Sequence, residues 1–372
     1  MRRLIIFCFF LIMFSPFLVS QKIIENPSKP QGEKAGRIVK LKEVLRISDE
    51  NGEFYFRFPR NLKVAPNGFI FVQDENQLLQ FKSDGKYVCN LFKKGKGPGE
   101  MEYLSNYAFT QNNIIAHNML PQKMLWFDYD GRLVKEFRID TDIRFLGFIS
   151  FCDNLYYFLK NDSPTFEKES EIIDSTNSFV RFNPEDNEME ELMDFPTKIW
   201  KVKYGTGQGT RALNDLITAQ YNNDLIFLNH THTYLVKLYD MKTDRLVCVF
   251  KRDYKRIRPP DEVKRERREE WEIGGKRFEI PYPEYLNDIR KLLVHQGKLW
   301  VITSTLNKKK GFLVDVFNKD GEYVDNFYLR LSDDPSHDSL GEVFVCGDFL
   351  YQIKRDDEDL FQIIKYEILD EN

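Results

Sequence analysis

The stretch from residue 58 to residue 100 constrains the fold most, because it holds four short β-prone runs separated by tight turns. Phe58-Pro59-Arg60-Asn61-Leu62-Lys63-Val64 leads into Ala65-Pro66-Asn67-Gly68, and Phe69-Ile70-Phe71-Val72 follows, closed by Gln73-Asp74. A third run covers residues 77–82, Ser83-Asp84-Gly85 turns the chain, and a fourth run covers residues 86–92. Asn-Gly and Asp-Gly between such runs are strong hairpin signals, since both central residues of a type I′ turn need positive φ. Four consecutive strands on short connections make one blade of a propeller.

The same order of signals returns about 46 residues later, a period that fits four strands with their turns. In the second unit Asp128-Tyr129-Asp130-Gly131 is the counterpart of Ser83-Asp84-Gly85. The third unit, residues 145–195, carries a longer polar loop over 160–177. The fourth begins near Asp215 and turns at Asn222-Asn223-Asp224 and Thr243-Asp244. The fifth, with Gln296-Gly297-Lys298 and Asn318-Lys319-Asp320-Gly321, echoes the first most clearly. The sixth supplies only three strands before the chain stops. Residues 38–47 are β-prone and have no hairpin partner, so they complete that last sheet and remove two exposed edges. The expected fold is therefore all-β: a six-bladed β-propeller of four-stranded antiparallel blades, closed by the N-terminal strand. An aromatic share of 15%, with 32 Phe, suits a core packed between sheet faces.

The pattern Pro59…Val64-Ala65-Pro66-Asn67-Gly68-Phe69-Ile70-Phe71-Val72-Gln73-Asp74…Leu79-Gln80-Phe81…Asp84-Gly85-Lys86 resembles the NHL repeat. The run Gly95-Lys96-Gly97-Pro98-Gly99-Glu100 is similar to the loop of exported bacterial six-bladed β-propellers of that type. In the weaker units Asn154, Asn187, Asp224 or Asp244 stands where the pattern has a turn glycine, and Asn and Asp tolerate left-handed geometry. The resemblance implies an exported propeller, periplasmic or surface-associated, that binds a ligand or partner.

The ends of the chain read differently from the repeats. Arg2 and Arg3 precede an apolar run over residues 4–14, and Leu18-Val19-Ser20 offers a small residue before Gln21, which predicts a signal peptide over 1–20. Ser15 and Pro16 keep the apolar run below the roughly 20 residues that a spanning helix needs, so no stable membrane span is expected once the leader is cleaved. Residues 21–36, polar and rich in Pro, Lys and Glu, read as a flexible mature terminus, and the propeller as 37–372. Residues 252–284 break the repeat with Arg, Lys and Glu between Pro259-Pro260 and Pro283, and read as an insertion between blades 4 and 5. Within it, residues 261–271 carry helix signals: Asp261 as a cap and charges at four-residue spacing.

Candidate chemistry is sparse. The formal charge of −4, from 54 Lys+Arg against 58 Asp+Glu, gives no overall basic field, so no nucleic acid is expected as a partner. Gly95, Gly97, Pro98, Gly99 and Glu100 form an inter-blade loop rather than a phosphate cradle, because Pro98 removes an amide and no Gly-Lys-Ser/Thr ending follows. His230 and His232, among 5 His, alternate as metal ligands would on a strand, but Asn229-His230-Thr231-His232 reads first as a solvated loop. Asp74, Asp130, Asp320 and Asp348 recur at turns, where they bond their own backbone. Trp126, Trp300 and Phe317 read as inter-blade core. Cys89, Cys152, Cys248 and Cys346 read as buried free thiols. Trp271 among Lys264, Arg265, Arg267 and Arg268 marks a candidate partner surface, with Arg265, Arg268 and Trp271 at its centre.

Two functions fit these readings. The first is an exported, monomeric, non-enzymatic binding propeller without cofactor, whose ligand is a protein, small molecule or carbohydrate. The second is a metal-dependent propeller hydrolase or lyase, like the sugar lactonases, with a divalent cation such as calcium on the axis. No Gly-x-Ser-x-Gly or His-Glu-x-x-His motif supports catalysis, which favours the first.

Overall fold

The computed structural model describes residues 23–49, 52–140, 146–162, 169–204, 207–260, 270–273, 276–279, 281, 283–337 and 339–369. The expected signal peptide lies outside these residues. Strands β1 (Ile23–Asn26) and β2 (Arg37–Ile47) come first in the chain but join sheets formed far later. Blade 1 is β3 (Pro59–Val64), β4 (Ile70–Asp74), β5 (Gln77–Phe81) and β6 (Tyr87–Asn90). Blade 2 is β7 (Leu104–Phe109), β8 (Asn113–Met119), β9 (Gln122–Asp128) and β10 (Leu133–Arg138). Blade 3 is β11 (Leu146–Cys152), β12 (Leu155–Asn161), β13 (Ser170–Asn183) and β14 (Glu188–Tyr204), with β15 (Gly207–Ala212) added outside β14. Blade 4 is β16 (Leu216–Gln220), β17 (Leu225–His230), β18 (Val236–Asp240) and β19 (Arg245–Arg252), with β1 parallel to β19. The hairpin β20 (Glu270–Ile273) and β21 (Lys276–Glu279) follows. Blade 5 is β22 (Ile289–His295), β23 (Lys298–Asn307), β24 (Gly311–Phe317) and β25 (Tyr323–Leu329). Blade 6 is β26 (Glu342–Cys346), β27 (Phe349–Arg355) and β28 (Phe361–Leu369), completed by β2.

The closing strand works at two edges. Residues from Lys40 to Ile47 run antiparallel to β28, from Lys40↔Leu369 to Ile47↔Ile363. Before that, Arg37, Ile38 and Val39 pair in parallel with Phe327, Tyr328 and Leu329 of β25. One strand therefore ties blade 5 to blade 6, covering the outer edge of β28 and the end of β25.

Aromatic and branched side chains fill the gaps between blades. Phe71 and Leu78 of blade 1 meet Tyr107, Ile114 and Leu125 of blade 2. On the other side Ile70, Val72 and Phe81 meet Tyr351, Ile353 and Ile363 of blade 6. Full burial of each such side chain contributes about 1.5–3 kcal/mol, so the sequence's phenylalanine load goes mainly into holding neighbouring blades together. Gly68 (φ 84°) and Gly85 (φ 86°) sit in the hairpin turns that the Asn-Gly and Asp-Gly pairs predict. Asn154, Asn187 and Asp244 also take positive φ, whereas Asp224 does not.

Three expectations need correction. The polar leader is not flexible throughout: Ile23 and Ile24 align with Val249 and Phe250, and Asn26 clamps blade 5 through Gly321 O and Tyr323 N. An open outer edge on β19 offers hydrogen bonds that even a polar segment can take. The loop over 160–177 is strand from Ser170, because β13 and β14 continue past their blade as a long hairpin, Ser170↔Val202 to Asn183↔Glu188. The helix expected over 261–271 does not extend through its end. Glu270–Ile273 is a strand paired with Lys276–Glu279, and Trp271 aligns with Phe278 across it. Trp271, Ile273 and Phe278 are β-prone, and that outweighs charge spacing here. The rest of that segment, 261–269, lies outside the described residues.

Candidate functional site at the propeller axis

The first strand of each blade faces the axis, since β7 touches β11, β22 touches both β16 and β26, and β26 touches β3. Turns between second and third strands, and crossovers between blades, therefore lie on one face of the ring. The residue just before each innermost strand sits at the mouth on this face. Around the ring the described ones are Phe58, Tyr103, Asp215, Asp288 and Gly341; Phe145, which precedes β11 in sequence, lies outside the described residues. Phe58 and Tyr103 are 60% and 57% exposed, against a core whose aromatics are buried. They are held there by a shared device. Asp74 accepts hydrogen bonds from the amides of Arg57 and Phe58, and Asn118 accepts them from those of Glu102 and Tyr103. A side chain at the end of the second strand thus fixes the entry to the first. Asp74 therefore bonds not the backbone of its own turn, as expected, but that of the segment entering β3.

Beside Tyr103 a cavity of about 360 Å³ opens between blades 2, 3 and 4. Met119, Leu159, Ile199 and Leu216 give it an apolar wall, while Ser105, Asn161, Asp162, Asn177, Thr210 and Asp215 give it hydrogen-bonding groups. The long β13–β14 hairpin and β15 build its outer side. Asp215 is exposed on its rim, and the protein around it raises its carboxyl above the usual range, with Arg211 opposing. In the next blade Asp288 is committed elsewhere, accepting from Arg256 Nε (3.0 Å) and the Tyr234 amide (3.2 Å).

Deeper along the axis lies a charged group. Lys63 Nζ donates to Asn106 Oδ1 (3.1 Å) and to the carbonyl of Tyr107. Lys291 and Glu342 pair at 3.6 Å. Burial lowers the Lys63 amine to about 8, with Glu342 opposing and Lys291 adding to the shift.

The residues singled out from sequence are scattered. The Gly95–Glu100 run joins β6 to β7 far from the axis, tied by Gly97 N to Glu100 Oε2 (2.9 Å), Gly99 N to Glu136 Oε2 (2.9 Å) and Lys123 Nζ to Gly97 O (2.9 Å). At Gly95 an added Cβ would lie 2.0 Å from Glu100 Oε2, so glycine leaves room for that carboxylate. Arg265 and Arg268 lie outside the described residues, and Trp271 is placed only by its strand. Trp126, Trp300 and Phe317 are buried. Cys89, Cys152, Cys248 and Cys346 are free thiols as expected, but only Cys152 is buried and the other three are half-buried.

The histidine pair is not in a solvated loop. Asn229, His230 and Thr231 are buried, and Arg256 of the insertion places its Nη2 3.2 Å from His232 Nδ1. A guanidinium at that ring disfavours a cation between the two histidines. Nearby, a buried network anchors the start of the insertion. Asp315 accepts from Arg252 Nε (2.6 Å), Tyr234 Oη (2.7 Å) and Tyr323 Oη (2.6 Å). The insertion's Phe278 then packs on Trp200 and Val202 of the β13–β14 hairpin. Sequence reading missed Phe58, Lys63, Tyr103, Asp215, Lys291 and Glu342. Their one shared signal is position, at or just before the first strand of a repeat.

The architecture and its open axial mouth define a six-bladed β-propeller with room for a ligand on one face. The DUF5128 family model, described as a 6-bladed beta-propeller, matches residues 51–266, more than half of the 372 residues, and the chain belongs to this family. Among solved structures it is similar to a Bacteroides fragilis protein named as a candidate for export (15% identity, TM-score 0.51, covering 94% of this chain and 100% of that one). It is also similar to a member of the DUF4221 family from Bacteroides vulgatus (10% identity, TM-score 0.52, covering 90% and 99%). A gluconolactonase of Xanthomonas campestris (12% identity, covering 90% and 91%) is less similar, at a TM-score of 0.42, too slight to bear on activity. No curated protein matches the sequence.

Proposed function

We propose that this chain is an exported, non-enzymatic binding propeller of NHL-type repeats that takes a polar, carbohydrate-like ligand at its axial mouth. The cavity between blades 2, 3 and 4 carries the reading: its 360 Å³ falls in the range of small-ligand sites and combines apolar wall with convergent polar groups. Exposed aromatic rings at the same mouth, Phe58 and Tyr103, offer flat apolar faces, and Asn161, Asn177 and Asp215 offer donors and acceptors for hydroxyls. Export is supported by the leader-like first 20 residues. Arg265, Arg268 and Trp271 of the insertion remain the proposed contact surface for a partner.

The metal-dependent hydrolase reading has no such support. A divalent cation needs several oxygen donors around one point. Among the described residues, Lys63, Lys291 and Glu342 on the innermost strands bring two ammonium groups to one carboxylate, and the ammonium groups repel a cation. A thermal-shift screen of neutral mono- and oligosaccharides tests the proposal. At least one should raise the melting temperature of the wild type and lose that effect with Asn177→Leu. No stabilising saccharide, or equal stabilisation of both proteins, would contradict it.

A further inference from the structure

Building on the saccharide reading of the cavity between blades 2, 3 and 4, we infer that its occupant carries an ammonium group, as an amino sugar does, and that Asp215 selects it. Among the described residues that line the cavity, Asp162 and Asp215 are acidic and none is Lys, Arg or His. Lys201, cross-strand from Thr210, is not one of them. Asp162 has Lys160 Nζ at 3.7 Å, but that ammonium is bonded to Glu191 as well. Asp215 is anchored by its main chain alone: its amide donates to Thr231 Oγ1 (3.0 Å) and its carbonyl accepts from the Thr231 amide (2.9 Å). No donor or ion-pair partner meets its carboxylate among the described residues, and Arg211 acts on it only through space. The carboxylate at the entry to β16 is therefore open to a charge from outside.

A second observation points into the same space. Asn177 lines the cavity and is only 6% exposed, yet neither its side-chain nitrogen nor its oxygen has a partner among the described residues. Buried amides are nearly always hydrogen-bonded, so this one is left for a group that enters the cavity. An ammonium has three donors and no acceptor, and a lining of carboxylates and amide oxygens suits it. Its bond to a carboxylate is charge-assisted on both sides, which a hydroxyl in the same place cannot match. Met119, Leu159 and Leu216 leave an apolar wall for the ring that carries it.

Calorimetry on the full mature chain at pH 7 and constant ionic strength compares glucose, N-acetylglucosamine and glucosamine, of which only the last is charged. Glucosamine should bind roughly tenfold tighter than either neutral sugar, the factor that a charge-assisted hydrogen bond supplies over a neutral one. Asp215→Asn keeps the shape of an exposed side chain and removes its charge, and should bring the three affinities within about twofold of one another. Glucose binding as tightly as glucosamine in the wild type would overturn the inference and leave the saccharide reading standing. A glucosamine preference undiminished in Asp215→Asn would overturn the role of Asp215. Binding of none of the three sugars would count against both readings together. Ethanolamine carries the charge without the ring, and an affinity equal to that of glucosamine would overturn the assignment to an amino sugar.

Discussion

Blades 1 and 2 differ from blades 3 and 4 in what has been added to them. The first pair are plain four-stranded sheets. Each of the second pair has a fifth strand, β15 or β1, and the insertion after β19 packs through Phe278 against Trp200 and Val202. Both pairs use the same inter-blade packing, so the additions are not needed to close the ring. One of them, β15, lines the cavity through Thr210 and Ala212. The regular pair contributes exposed aromatic rings to the mouth, and the decorated pair contributes the polar pocket beside them. One repeat supplies two kinds of wall because its entry residue is free to vary once Asp74 or Asn118 fixes the backbone.

That comparison can be broken experimentally, and the largest effect should come from the joint between blades 4 and 5. Asp315→Ala strips the shared acceptor from Arg252, Tyr234 and Tyr323 and leaves a buried guanidinium unpaired, which costs about 3–5 kcal/mol. Urea unfolding measures it, and a loss below about 1 kcal/mol would mean that the network holds nothing together.

In the plain half, His117 gives a pH-dependent counterpart. Its ring lies 5.2 Å from that of Phe158, neither ring nitrogen has a partner among the described residues, and burial lowers it from 6.5 to about 3. The unfolded chain takes the proton first, so the contribution is intact above about 6.5 and is lost as pH falls towards 3, by on the order of a few kcal/mol. His117→Leu should flatten that part of the acid dependence. Identical urea midpoints for both proteins at pH 7 and pH 4 would place the acid sensitivity elsewhere.

Smaller effects sharpen the contrast. Asn26→Ala removes side-chain bonds to Gly321 O, Lys251 O and Tyr323 N, and should cost about 1–2 kcal/mol while leaving the ring closed. Phe58→Ala, at an exposed position, should change stability by less than about 0.5 kcal/mol yet weaken any saccharide found at the mouth. A stability loss as large as that of a core phenylalanine would make Phe58 a packing residue.

Local chemistry made the ring legible from sequence. Asn67-Gly68 and Asp84-Gly85 mark turns whose geometry only a few residues tolerate, and residues 38–47 stand out because they lack a hairpin partner. The β1 segment was illegible for the opposite reason: its partner is an edge over 200 residues away, as Asn26 against Lys251 shows, and parallel pairing leaves no turn in the sequence. The axial residues were hidden for the same reason. Lys63, Asn106, Lys291 and Glu342 meet only because four repeats place their first strands side by side, and no spacing within one repeat reveals that meeting.

Hydrogen exchange on the full mature chain, with and without the best-stabilising saccharide, tests the mouth most directly. New protection should fall on residues 103–105, 159–162, 170–177 and 199–216, around the cavity. Protection instead on the opposite face, at the turns 65–68, 82–86 and 129–132, would contradict this placement of the ligand.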